Sequence, residues 1–99
     1  MACRVTVKTF AEGPIVYLSW KGGSYALIVH LDILTQSAFE RFIEELNRNN
    51  KAELRLTRRT AIEFTPDYML YIADVAYPRY ERVLPVCIEL LDVLGDLAS

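Results

Sequence analysis

Apolar and polar residues alternate from Cys3 to Phe10, with Val5 and Val7 facing one way and Arg4, Thr6 and Lys8 the other. Period two predicts a strand. Glu12-Gly13-Pro14 has turn chemistry. Ile15 to Trp20 predicts a second strand, apolar on both faces apart from Ser19. Lys21-Gly22-Gly23-Ser24 follows, and its glycines supply the positive φ angles of a tight hairpin. Tyr25 to Ile33 predicts a third strand, with Tyr25, Leu27, Val29, Leu31 and Ile33 on one apolar face.

The period then lengthens. Phe39, Phe42, Ile43 and Leu46 recur at i, i+3, i+4, i+7, one stripe of a helix, while Glu40, Arg41, Glu44 and Glu45 face water. Ser37 and Glu40 have capping-box spacing, and Asn47-Arg48-Asn49-Asn50 ends the helix. Glu53 to Phe64 alternates again through Leu54, Leu56, Ile62 and Phe64. Arg58-Arg59 lacks the Gly or Asn of a tight turn, so one long, bulged strand is expected there. Thr65 to Tyr68 is a turn, Met69 to Val75 the last strand. Tyr77-Pro78 opens a final helix that Gly95 closes. The fold class expected is α+β, a single domain over 1–99. It is an antiparallel sheet with two helices packed on one face, in the order β-β-β-α-β-β-α.

The final helix carries the main functional expectation. From Val83 to Leu94 only Glu89 and Asp92 are charged; with Glu81, Pro85 and Asp96 they form one narrow polar line. A helix resting on one sheet needs an apolar arc of only about 100°. The surplus is covered by the other helix, by another chain, or by both. Val83, Val86, Cys87, Leu90, Leu91 and Leu94 are the candidate interface, and a copy of the chain or a paralogue the candidate partner. Pro85 either opens a shorter helix starting near Leu84 or kinks a longer one.

Composition points the same way. The apolar fraction is 53%, above the usual ~45–50%, in a domain too small to hide all of it. Eleven basic against thirteen acidic residues give net charge −2, without the global positive field of a nucleic-acid binder. Cys3 and Cys87 read as separate thiols suited to a reducing compartment, with a bridge between them as the alternative. No apolar run is long enough to span a membrane, and the N-terminus lacks a signal-peptide core. The cytoplasm is the expected location.

Little chemistry is visible. The one histidine, His30, sits in mid-strand, and no ligand cluster, nucleophile elbow or phosphate loop surrounds it. No metal, cofactor or catalytic activity is expected. Arg55, Arg58 and Arg59 could form a basic strip near Tyr68, Tyr71, Tyr77 and Tyr80, the elements of a single-stranded RNA surface. Charges that keep a sheet edge from aggregating are the competing explanation.

Ala26 to Asp32 leads into Ser37-Ala38-Phe39. Arg59-Thr60-Ala61-Ile62-Glu63-Phe64 is followed by a turn and Met69-Leu70-Tyr71-Ile72-Ala73-Asp74. Arg79 comes five residues after that aspartate, and the chain's last helix ends Leu91-Asp92-Val93-Leu94. In this order and these motifs, residues 25–99 resemble the small dimerising subunit of the KEOPS complex, which serves threonylcarbamoyl-adenosine modification of tRNA. The hairpin 3–20 is additional, Pro85 interrupts the last helix, and the Asn-Ser pair usual after the arginine is missing, which suggests a diverged paralogue. The resemblance implies a non-catalytic scaffold subunit that pairs with a like chain and docks on other subunits. Asp74 and Arg79 would then be docking residues or an intrachain pair.

Overall fold

β1 (Cys3–Phe10), β2 (Gly13–Trp20) and β3 (Ala26–His30) form an antiparallel sheet in that order. This is a computed structural model, and it describes residues 3–11, 13–20, 26–77 and 81–99. The predicted hairpin turn at Lys21 to Ser24 lies outside them. Val7 pairs with Val16, and Val16 with Val29. Val16 and Val29 are fully buried, whereas most of β1 is exposed. Among the described residues the sheet's fully buried side chains are thus on β2 and β3, with Cys3 and Val5 of β1 packed against the core.

Helix α1 (Gln36–Asn49) starts earlier than the Ser37–Glu40 spacing suggests. Thr35 is the cap: its backbone is extended, and its Oγ1 accepts the Ala38 N–H at 3.2 Å. Ser37 falls inside the first turn. Asn50 ends the helix at φ 56°, where its N–H returns to the Leu46 carbonyl at 3.0 Å. Asn tolerates this left-handed conformation better than most residues.

The stretch expected as one strand is a hairpin of β4 (Ala52–Arg55) and β5 (Ala61–Phe64), with Leu54 opposite Ile62. Threonine builds the turn without Gly or Asn. Thr57 Oγ1 accepts the N–H groups of Arg59 and Thr60 and lies 2.8 Å from Thr60 Oγ1. β6 (Met69–Ile72) and β7 (Glu81–Leu84) complete a second antiparallel sheet, ordered β4-β5-β6-β7.

β7 is the largest departure from the expected order, which has no strand between Val75 and the final helix. Pro85 disfavours helical backbone in the residue before it, so Leu84 stays extended. Helix α2 (Ile88–Ala98) begins only after Cys87. Gly95 sits inside α2, where an added Cβ would approach Phe39 Cε1 at 3.2 Å. The architecture is α+β with antiparallel pairing, as expected, but with two sheets and the order β-β-β-α-β-β-β-β-α. α1 rests on β4 and α2, and α2 also reaches β1.

One core joins these layers. Phe42, Leu54, Leu56, Ile62, Phe64, Met69, Leu84, Leu90 and Leu94 pack with Val16, Val29 and Leu31 of the first sheet region. The Phe42 and Phe64 rings meet edge to face at 5.7 Å. The Leu56 carbonyl accepts the N–H groups of Asp32 and Ile33 at 3.0 and 3.2 Å, tying the end of β3 to the second sheet. A Cys3–Cys87 disulfide, with Cα atoms 5.9 Å apart, fixes the start of β1 to the start of α2. The two cysteines are therefore not separate thiols.

Candidate protein-interaction surfaces

The six interface residues expected on the last helix divide. Cys87, Leu90 and Leu94 are 0% exposed and belong to the chain's own core. Val86 and Leu91 are partly covered. Val83, on β7 opposite Leu70, is 64% exposed. The exposed apolar residue at the start of α2 is Ile88, which the sequence pattern does not single out; at 69% it is the most exposed large apolar residue among the described ones. Its neighbours Val86 and Leu91 line a hollow of about 310 Å³ with Leu46, Phe64 and Pro66. Ile88 and Leu91 also border a second hollow of about 580 Å³, with Phe39 and Ile43 as apolar walls and Asp92 and Asp96 on the rim. The two hollows share Ile88 and Leu91 and form a mainly apolar groove beside the α1–α2 contact, with Asn47, Asn50 and Thr65 also in its lining. Among its described lining residues, the charged ones are acidic.

Arg55, Arg58 and Arg59 are all exposed at the β4–β5 turn, where Arg55 Nη1 donates to the Arg58 carbonyl at 3.3 Å. Val75 N–H donates to the Arg59 carbonyl at 2.7 Å, bringing the turn that carries exposed Tyr77 beside them. Tyr71 is half-buried, and burial raises its phenol pKa while the Arg82 charge opposes the shift. Asp74 Oδ1 accepts the Ala76 N–H at 2.9 Å and so shapes its own turn. Arg79, its expected partner, and Tyr80 lie outside the described residues.

The β4 side is polar. Leu56 N–H donates to Thr60 O at 2.9 Å, and the register carries that hydrogen-bonded phase to Leu54 and Ala52. In an antiparallel ladder the intervening residues turn their backbone groups the other way. The N–H and C=O of Glu53 and Arg55 therefore face outward from a strand that ends its sheet. Two hollows of about 420 and 480 Å³ run along this edge and share Glu45 of α1 and Glu53 of β4. Lys51 Nζ lies 3.0 Å from Glu63 Oε1 in an ion pair. Glu63 raises the Lys51 pKa through close contact and charge.

Among the described residues no group of His, Cys, Asp and Glu could hold a metal ion, and no helix is long and apolar enough to cross a membrane. No family model, curated protein or solved structure matches this chain.

Proposed function

We propose that this domain is a non-catalytic accessory subunit that works by binding other protein chains. The observation that carries the reading is Ile88, left 69% exposed at the junction of two apolar hollows. An apolar groove of this kind accepts an amphipathic helix, and the Asp92 and Asp96 rim favours one flanked by Lys or Arg. The test is titration of the full chain with a Leu/Lys amphipathic peptide and its Leu/Glu counterpart, followed by amide chemical shifts. The basic peptide should bind saturably and perturb Ile88 and Leu91, and Ile88→Glu should weaken it. Plain attraction to an acidic protein predicts the reverse, since Ile88→Glu adds negative charge. Unchanged or tighter binding to Ile88→Glu would refute the groove.

Membership of a KEOPS-type tRNA-modification assembly is a narrower proposal, supported by the order and motifs of residues 25–99. Reconstitution with such an assembly's kinase and transferase subunits tests it, and failure to co-elute removes it. The three exposed arginines beside Tyr77 support RNA contact as a second reading. Arg58→Ala with Arg59→Ala should then reduce salt-dependent RNA binding, and no binding of the unmodified chain at low salt would remove it. The disulfide favours a compartment that maintains oxidised cysteines over the cytoplasmic location expected from two thiols.

A further inference from the structure

The outward edge of β4 has the charge pattern of a strand built to pair with itself. Edge strands present unpaired backbone groups to a further strand. Here the groups on offer are those of Glu53 and Arg55, beside a trough walled by α1. A second copy can add antiparallel to this edge about a two-fold axis, where the same patch serves both partners. Only registers that bring outward-facing residues opposite one another form backbone bonds. Centring the axis on Glu53 sets Glu53 against its own copy and Lys51 against the other copy's Arg55, which are like-charge oppositions. Centring it on Leu54 sets Glu53 of each chain against Arg55 of the other. Leu54, 3% exposed, then stays within each chain's own core, while both Glu53–Arg55 pairs lie on the solvent side. Opposite charges across a strand pair are favourable and like charges unfavourable.

We propose that two copies of this chain associate through β4 in the register centred on Leu54, giving one continuous eight-strand sheet. The inference supplies a self-pairing surface for the protein-binding role proposed above. It uses residues separate from Ile88 and the α2 groove, so either can fail without the other. Ile33 and Thr35 border the trough beside Leu54 and Arg55.

The charges make the test specific. Glu53→Arg places Arg opposite Arg at both sites of the symmetric dimer, and Arg55→Glu places Glu opposite Glu. Each variant alone should shift the dimer's dissociation constant upward by roughly tenfold or more, from two pairs turned from attraction to repulsion. The double variant Glu53→Arg/Arg55→Glu should restore pairing. An equimolar mixture of the two single variants should also form heterodimers, because both cross-strand pairs are again of opposite sign. Sedimentation equilibrium measures all four, with circular dichroism confirming that each variant is folded. The proposal is overturned if the unmodified chain is monomeric at millimolar concentration. It is equally overturned if the single reversals dimerise as well as the unmodified chain, or if the mixture stays monomeric. Ile88→Glu should leave this equilibrium unchanged, and its loss of dimer would assign self-association to the α2 groove instead.

Discussion

Removing the Cys3–Cys87 bond should cost this domain a large part of its stability. The bond joins residues 84 apart in sequence. Cross-linking a loop of that length lowers the entropy of the unfolded chain, and the chain-entropy relation puts the stabilisation at about 4.6 kcal/mol. Domains of this class have a total of only about 5–15 kcal/mol. The cleanest perturbation is Cys3→Ser. Cys87 is 0% exposed beside Met69, whose Sδ accepts its N–H at 3.1 Å, so retaining the Cys87 sulfur avoids a cavity there. Urea unfolding followed by circular dichroism is the assay, on oxidised protein, on protein in excess reductant and on Cys3→Ser. With a slope near ~1.5 kcal/mol/M, the midpoint should fall by about 3 M in both perturbed samples. Alkylation and mass measurement of the unreduced, unfolded chain establishes that the bond is present. A bonded protein whose midpoint moves by less than about 0.5 M would refute the loop-entropy reasoning. Two alkylated thiols in that sample would sink the bond itself.

Phe42→Ala should destabilise by about 3–5 kcal/mol, because a ring 2% exposed and packed on Phe64 leaves a cavity; a thermal melt checks it. Thr35→Ala removes the acceptor for the Ala38 N–H and should cost about 1 kcal/mol, read by chemical denaturation, whereas Ser37→Ala should cost much less. Gly95→Ala should stabilise by roughly 0.5 kcal/mol, since the gain in helix propensity exceeds the small shift asked of the Phe39 ring, which borders an open hollow. Gly95→Leu should destabilise in the same assay. The raised Tyr71 pKa means that the folded chain holds the phenol proton more tightly than the unfolded chain, whose reference value is 10.0. Stability should therefore be independent of this group below about pH 10 and fall as pH rises through and above that value, a loss absent in Tyr71→Phe.

The periodic segments were legible because burial enforces their period. Val29, Phe42, and Leu54, Ile62 and Phe64 all occupy the core positions their spacing assigns, whereas Val16 lies in a strand apolar on both faces and its burial carries no such signal. Three features were not legible, each for a local reason. The β4–β5 turn is made by the hydroxyls of Thr57 and Thr60, whereas the residue types sought there were Gly and Asn. The Pro85 spacing allows a helix start or a kink; the proline instead follows strand β7, and α2 starts at Ile88. In that helix Leu90 and Leu94 lie in the core while Ile88 is exposed. The disulfide has no short-range signature, because its partners meet only through the packing of β1 on α2.

The Cys3–Cys87 bond also decides how the molecule would respond to tension. Every strand and α1 lie inside the covalent ring it closes, and only α2 continues beyond it. A pull between Cys3 and Ser99 is carried through sulfur, bypassing both sheets. It can lengthen the chain by no more than the unravelling of the segment after Cys87, at most ~40 Å of extended backbone. Tension held between those two residues would strip α2 and uncover the core face that Leu90 and Leu94 fill, while both sheets stayed unloaded until a reductant cut the ring.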